Sequence, residues 1–242
     1  LPPFFADHSS RIVYSKIESV KVHAEIQHPS ARGCLEFLQV KDGLEIHHDG
    51  DLPARSGIGS SSSFTVGLLH ALHAFHQRMV GPQQLAEEAI FIEREMIKEA
   101  VGFQDQIAAA YGGINVIKLG PGNKMSINRL NIAFSYKEYL RRSILLGFTG
   151  ISRDGTRIMQ EHIKNVQSGV SESMLKEVNG ISEDAYKLFK MEEDIDKIGS
   201  LLNQNWRVKR GLTKKVTNNS FDAIYDIALK NGALGGKLMG AG

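Results

Sequence analysis

The stretch from Asp51 to Ser63, DLPARSGIGSSSS, constrains this chain more than any other, because its glycines and hydroxyls lead directly into an apolar helical pattern. Apolar residues three or four positions apart predict a helix over 64–79. A glycine-rich turn that opens a helix leaves backbone N–H groups free, and the helix dipole favours negative charge there. Glycine also lets the backbone approach a phosphate closely. This glycine-serine loop therefore predicts a site for an anion, and first of all for a nucleotide phosphate.

Two interpretations of the glycine-serine loop compete when its residues are taken alone. Serine is a preferred N-cap and Gly-Ser clusters are ordinary loops, so a well-capped turn explains the stretch as simply as a phosphate site does. A Walker A loop does not fit, because no lysine directly precedes the serines. The dinucleotide-binding fingerprint does not fit either, because Ser62 stands where its last glycine belongs. The choice between a phosphate site and a capped turn stays open.

The composition is that of an ordinary globular protein. Its 242 residues suffice for one large domain or two closely packed ones, with 42% hydrophobic and 23% charged residues. A net charge of +2 argues against a nucleic-acid surface. The sequence has no run as long as a membrane span and no visible signal peptide, so we expect a cytoplasmic protein without a membrane partner. The chain has a single cysteine, Cys34, which excludes an intrachain disulfide. We expect Cys34 to be a small residue of the core.

Hydrophobic periodicity predicts two successive groups of strands followed by helices. Alternating apolar and polar residues favour strands at 20–26, 35–37 and 44–46. Helical spacing favours helices over 82–98 and 104–111, and apolar runs favour strands at 114–117, 125–128 and 143–148. Mostly helical sequence then extends to about residue 231. Two such groups favour an α+β fold over a regular βαβ array, with a boundary between residues 138 and 139.

Two carboxylates could complete a site for phosphoryl transfer. Such a transfer to a hydroxyl needs magnesium held by oxygen ligands and a group that orients or deprotonates the acceptor. Asp105 lies among apolar neighbours at the start of a short helix, although an Asp in that position is often only a cap. Glu93 lies near the end of the helix over 82–98, on a stretch that equally fits an exposed face of charged pairs. The residues alone leave both roles open.

These segments together resemble the GHMP kinase superfamily of galactokinase, homoserine kinase, mevalonate kinase and phosphomevalonate kinase. The family motif Pro-x-x-x-Gly-Leu-Gly-Ser-Ser is matched by Pro53 to Ser61, with Ile58 for the usual leucine. The third family motif is matched by residues 232–242, GALGGKLMGAG. The segment around Asp105 lies where such kinases keep their acidic residue. Two motifs in the right order, with the Asp105 segment between them, are more specific than either motif alone. The resemblance runs through essentially the whole chain.

The resemblance implies the two-part α+β architecture of the superfamily. It pairs a ribosomal protein S5 domain 2-like N-terminal half with a ferredoxin-like C-terminal half. The N-terminal domain, 1–138, would contain the ATP phosphate loop, the metal and the catalytic acid. The C-terminal domain, 139–242, would provide the substrate side, with ATP and substrate bound between the halves.

Within the superfamily, the chain resembles bacterial sugar kinases that phosphorylate D-glycero-D-manno-heptose 7-phosphate at its anomeric hydroxyl. Residues 1–5, 148–153 and 206–210 look like segments of these kinases. Their first motif, Gly-Gly-Gly-Thr-Asp, is absent, and we expect sequence to be missing at both ends. The resemblance implies ATP and Mg²⁺ as cofactors and a sugar or sugar phosphate as substrate. It leaves undecided whether the protein forms a homodimer. The alternatives are a kinase for another sugar such as fucose, and a non-catalytic relative that keeps a nucleotide-binding cleft.

The resemblance also implies a role for individual residues. Asp105 would orient or deprotonate the sugar hydroxyl, while Ser61 and Glu93 would bind magnesium. Glu93 lies nine residues before Gly102, as expected from mevalonate kinase, whereas one extra residue separates that glycine from Asp105. Arg153 would hold the phosphate already present on the substrate. The residues expected around the ATP phosphates are Pro53, Gly57, Ile58, Gly59, Ser60, Ser61 and Ser62. Those expected on the substrate side with Arg153 are Gly235, Gly236 and Lys237.

Overall fold

The computed structural model describes residues 9–51, 57–150, 164–166, 172–212 and 216–239. The chain divides into two compact units, Leu1–Gly112 and Gly113–Gly242. This structural division differs from the predicted domain boundary at 138/139. The reason is that Ile114 and Leu130 pack against a hydrophobic cluster of the second unit, so the segment that contains them belongs there.

The first unit contains a sheet of three short strands. These are β1 (Ser10–Val13), β2 (Ile17–Val20) and β3 (Glu45–His47), in the order β2-β1-β3. Strand β1 pairs antiparallel with β2 and parallel with β3. A parallel pair requires a long crossover connection, and helix α1 (Pro29–Phe37) lies in the chain between β2 and β3.

Helix α1 accounts for most of the difference from the strands predicted in this region. Of the stretch 20–26 only Val20 belongs to a strand, and residues 35–37 are helical. Pro29 suits the first helical turn because its missing N–H has no intrahelical partner there. The His28 side chain accepts a hydrogen bond from the Ala31 N–H and so caps the helix. These start signals outweigh the short alternation that favoured strands.

Three further α-helices lie in the first unit. They are α2 (Ser60–Phe75), α3 (Pro82–Phe91) and α4 (Gln104–Tyr111). Helix α2 begins and ends four residues before the predicted bounds, and α4 has the predicted bounds. The apolar face of α2 packs into a core that also contains Leu35 of α1, Leu85 of α3 and Cys34.

A π-helical turn, Ile92–Met96, follows α3 directly. Because such a turn adds a residue to the helical repeat, it changes the face that later side chains present. Ile92 and Glu93 are consecutive, yet both are fully buried. Gly33 of α1 permits the close approach of this turn, since an added Cβ would lie 2.8 Å from Ile92 Cγ2 and 3.3 Å from Ile97 Cδ1. The turn therefore directs Glu93 into the first unit.

The second unit begins with the predicted hairpin and continues mainly as helices. Strands β4 (Asn115–Leu119) and β5 (Met125–Arg129) pair antiparallel. The helices are α5 (Phe134–Ser143), α6 (Glu172–Met191), α7 (Ile195–Leu212) and α8 (Asn219–Lys230). The mixed helices and strands of both units confirm the α+β class. Within the described ranges, no helix is both long enough and apolar enough to cross a membrane.

The strand predicted at 143–148 is absent from the structure. Helix α5 extends to Ser143, and residues 144–149 have no regular hydrogen-bonded structure. Ile144 has extended backbone angles, φ −108° and ψ 128°, but Leu145 is almost entirely exposed. The apolar run is extended at its start without a neighbouring strand among the described residues. Because a strand is defined by its pairing, apolar composition alone was insufficient.

Replacing Gly33 with alanine is expected to destabilise the protein by about 1–3 kcal/mol, because the methyl group would overpack the contact with Ile92. Gly67→Ala is the matched control in α2, where nothing lies within 4 Å of an added Cβ. That change should stabilise the helix by about 0.5–1 kcal/mol. Urea unfolding of both variants measures the difference. A Gly33→Ala protein as stable as the wild type would show that the close approach is no constraint.

Candidate active site

Helix α2 begins in a form suited to an anion. Its N-cap residue, Gly59, has left-handed backbone angles (φ 75°, ψ 25°), and Gly57 also has a positive φ of 78°. Glycine adopts this conformation without steric penalty. Among the described residues no side chain caps the helix, so none of them satisfies the first-turn N–H groups of Ser60, Ser61 and Ser62 as a cap. The serine-capped turn left open by the sequence is therefore not what the structure contains.

Asp105, in the first turn of α4, lies against this helix start. A Cβ added at Gly59 would lie 3.0 Å from Asp105 Cγ and 3.2 Å from its Oδ2. The Asp105 side chain stays accessible to solvent, while partial desolvation raises the pKa of its carboxyl. A carboxylate with a raised pKa beside a helix start of this kind has the properties expected of a group that accepts a proton.

Glu93 is fully buried, contrary to the exposed face that its sequence neighbours suggested. Glu95 and Lys98 form that exposed pair instead, with 3.6 Å between Nζ and Oε2. Glu93 Oε2 accepts hydrogen bonds from Ser62 Oγ at 2.9 Å and from Gln106 Nε2 at 2.5 Å. Its other oxygen, Oε1, has no hydrogen-bond partner among the described residues. A buried carboxylate oxygen without a donor is unfavourable, so a ligand that satisfies it is expected.

Two neighbouring groups respond to the charge of Glu93. Burial, and then the negative charge of Glu93, raise the pKa of the Glu99 carboxyl. Burial also raises the pKa of the Cys34 thiol, with smaller contributions from Glu93 and Glu88. Cys34 is therefore a buried, protonated thiol in the core, as its sequence context predicted.

The oxygen atoms available as metal ligands suit a hard divalent cation. Magnesium is usually bound through one or two carboxylates together with phosphate oxygens. Glu93 Oε1 could serve as the carboxylate ligand, and the exposed side chain of Ser61 lies in the first turn of α2. The described part of the chain contains no group of three or more His, Cys, Asp or Glu side chains arranged around a metal. Glu93 Oε1 thus suits magnesium, whereas the serine hydroxyl bonded to Glu93 is that of Ser62. Magnesium binding by Ser61 and Glu93 remains a prediction.

The remaining loop residues divide between the described and undescribed parts of the chain. Pro53 lies outside the described residues. Ile58 is exposed and Ser60 is half-buried beside the uncapped helix start. Ser62 is buried and its hydroxyl is bonded to Glu93, so a phosphate contact from this residue would have to use its backbone N–H.

The predicted substrate-side residues all belong to the second unit. Arg153 lies outside the described residues. Gly235 packs directly on α7, where an added Cβ would collide with the Gly199 carbonyl oxygen. Lys237 Nζ donates a hydrogen bond to Asn205 Oδ1 at 3.1 Å, and desolvation lowers the pKa of its ammonium group. Gly236 lies between these two residues. Their role in binding a substrate remains a prediction.

Sequence reasoning missed Gln106 and its bond to Glu93. Gln106 is 1% exposed and directly follows Asp105 in α4. A signal was available, because Gln106 precedes apolar Ile107 and lies four positions before Ala110 on a short helix. A polar residue on such a face needs a buried partner.

Comparison with known proteins identifies relatives of the chain. Residues 21–113 match the family model described as GHMP kinases N terminal domain. The chain is 31% identical over 209 residues to D-glycero-alpha-D-manno-heptose 7-phosphate kinase of Campylobacter jejuni, a match that covers 86% of this chain and 61% of that protein. It is also 26% identical over 212 residues to L-fucokinase/L-fucose-1-P guanylyltransferase of Bacteroides fragilis, covering 84% of this chain and 22% of that one. The chain thus spans less than two thirds of either relative.

A solved structure shares the fold. The crystal structure of a D-glycero-D-manno-heptose 1-phosphate kinase from Bacteroides thetaiotaomicron superposes with a TM-score of 0.72 at 21% identity. The superposition covers 98% of this chain and 72% of that one. At this level of identity the likeness concerns the fold alone, and it agrees with the predicted two-part α+β architecture.

Substituting Ser62 with alanine should destabilise the protein by about 1–3 kcal/mol, because a buried carboxylate oxygen would lose a donor. Ser61→Ala is the matched control, since this neighbouring side chain is exposed and its removal should change stability by less than about 0.5 kcal/mol. Urea unfolding without nucleotide or metal compares the two variants. Equal stability would contradict the assigned hydrogen bond from Ser62 to Glu93.

Proposed function

We propose that this chain is an ATP- and Mg²⁺-dependent sugar kinase, because residues 21–113 match the family model of the GHMP kinase N-terminal domain. Its substrate would be D-glycero-D-manno-heptose 7-phosphate, phosphorylated at the anomeric hydroxyl. The heptose kinase of Campylobacter jejuni, which matches 86% of this chain, supports the choice of sugar. Since the chain spans 61% of that relative, both activity and substrate are proposals for this protein.

The observation that carries the proposal is the position of Asp105 against Gly59. This contact puts a carboxylate with a raised pKa beside the uncapped start of α2. Phosphoryl transfer needs an anion-binding cradle and a group that accepts or orients the hydroxyl proton at adjacent positions. The proposal assigns these two requirements to residues 46 positions apart in sequence, from Gly59 to Asp105.

In the proposed reaction, the first-turn N–H groups of α2 bind phosphate oxygens of ATP. Asp105 accepts the proton of the sugar hydroxyl. The hydroxyl oxygen bonds to the γ-phosphorus as the bond between that phosphorus and ADP breaks. Most of the catalytic effect comes from positioning and charge stabilisation, since this transfer requires little covalent chemistry from the protein. Glu93 and Ser61 would hold Mg²⁺, which supplies charge neutralisation on the phosphates when bound.

Substrate selection would depend on residues of the second half. Arg153 could hold the existing phosphate of the sugar through a bidentate contact, because a guanidinium presents paired N–H donors. Gly235, Gly236 and Lys237 would line the substrate side. Fucose is the competing sugar, supported by the 26% identity to the fucokinase of Bacteroides fragilis. Neither interpretation requires a homodimer.

A panel of sugars tests the proposed substrate. The purified protein is incubated with ATP, Mg²⁺ and heptose 7-phosphate, heptose, fucose, galactose or mevalonate, and ADP release is measured. The heptose 7-phosphate is expected to give the highest kcat/KM, by at least about tenfold over the unphosphorylated heptose, because a charge-assisted phosphate contact is lost in the latter. Preference for fucose would overturn the substrate assignment. No turnover with any compound would favour a non-catalytic nucleotide-binding module.

Replacing Asp105 with asparagine should lower kcat by at least about a hundredfold, as expected for a lost acid–base group. ATP binding should be retained, because the cradle is formed by the α2 backbone. In the wild type, kcat/KM should fall with acidification at a pH above that of an ordinary aspartate, since the pKa of Asp105 is raised. This acid limb should be absent from the residual activity of Asp105→Asn. Unchanged turnover would exclude Asp105 from catalysis.

Stability provides an independent check on the same variant. Desolvation favours the protonated form of Asp105 in the folded protein, so its ionisation weakens folding as pH rises through the window between the unfolded and the raised folded pKa. Asp105→Asn should therefore melt no lower than the wild type at pH 8. The difference between the two proteins should shrink as pH falls below both pKa values. A lower melting temperature of the variant at pH 8 would show that the carboxylate stabilises the fold.

A further inference from the structure

The two oxygens of Glu93 have different surroundings. Oε2 accepts hydrogen bonds from both Ser62 and Gln106, whereas Oε1 accepts none among the described residues. The whole side chain is 0% exposed, so bulk water does not compensate the second oxygen. Such an unequal arrangement orients the carboxylate, because rotating it would separate two donors from their acceptor.

Gln106 links this carboxylate to the other one in the candidate site. It is adjacent to Asp105 in α4, so the same helical turn fixes the Asp105 backbone and the amide that holds Glu93. Ser62 provides a second attachment from the first turn of α2. Glu93 itself lies on the π-helical turn. Three elements therefore determine where Oε1 lies, and Gln106 joins the turn of the proposed base to the proposed metal ligand.

We propose that Gln106 is a positioning residue that acts through Glu93. By donating to Oε2, its amide leaves Oε1 available and holds it in place for the Mg²⁺ of the bound nucleotide. This inference rests on the proposed kinase function. Groups that orient a metal ligand without touching the metal typically change metal affinity by about 10–100-fold when they are removed.

A purely structural role for Gln106 predicts a different outcome. If its amide only satisfied a buried carboxylate, its loss would lower the free energy of unfolding and leave the metal affinity of the folded protein unchanged. A positioning role predicts weaker metal binding by protein that is still folded. The two roles are therefore separated by comparing metal binding with thermal stability.

The test uses Gln106→Met, which keeps side-chain length but removes the donor. Gln104→Met is the matched control, because the same change is made at an exposed position of the same helix. Mn²⁺ binding to the protein in the presence of ATP is measured by the enhancement of water proton relaxation, with a Mn²⁺–ATP sample without protein as the baseline, because ATP alone also removes free Mn²⁺. Gln106→Met should raise the Kd for Mn²⁺ by about 10–100-fold, whereas Gln104→Met should leave it unchanged. Thermal melting confirms that both proteins are folded.

Kinetics provide a second readout. The Mg²⁺ concentration at half-maximal activity should rise about tenfold or more in Gln106→Met, while KM for the sugar stays within about twofold of the wild type. If Gln106→Met does not fold, Gln106→Asn replaces it, since this shorter amide stays polar but is one methylene too short to reach Oε2.

The outcomes separate this inference from the function on which it rests. A folded Gln106 variant that binds Mn²⁺ as tightly as Gln104→Met would overturn the positioning role alone. A wild-type protein that binds no Mn²⁺ in the presence of ATP would overturn the proposed kinase site together with the role of Gln106. Weaker Mn²⁺ binding confined to the Gln106 variant supports the inference.

Discussion

The buried carboxylate of Glu93 is the constraint on which the rest of the first unit depends. A charged group out of contact with water must be hydrogen-bonded or bound by a cation, and only one of its oxygens is satisfied within the described protein. Its two donors come from α2 and α4, and its backbone belongs to the π-helical turn after α3. Gly33 of α1 allows that turn to approach. This side chain thus joins α2, α4 and the π-helical turn, the elements that carry the candidate site.

Glycine has a second, separate use at the start of α2. The left-handed conformation of Gly59 ends the loop without a capping side chain, and its missing Cβ leaves room for the Asp105 carboxyl. A residue with a Cβ would be strained there and would also displace the carboxylate. The proposed anion binding and proton acceptance would therefore both require Gly59. This glycine brings the loop motif and an aspartate far along the chain next to each other.

The sequence predicted those features that depend on local pattern, and it was less successful where packing decided the outcome. Helix α4 and the β4–β5 hairpin follow from glycine signals and periodicity, so they were predicted well. The burial of Glu93 was not predictable from periodicity, because Glu93 lies in a π-helical turn that interrupts the helical repeat. Gln106 was missed because its partner lies on another helix. The run at 143–148 was overinterpreted, since composition cannot show whether a partner strand is present.

The state of the single cysteine has a practical consequence. Cys34 is 0% exposed in the core of the first unit, and burial keeps its thiol protonated and therefore poorly nucleophilic. An alkylating reagent can reach it only when that core opens, so the rate of modification under native conditions reports the opening free energy of this unit. Because the chain contains no other thiol, the signal arises from one position. The modification rate of Cys34 thus measures how often the unit that contains Glu93 and Asp105 opens.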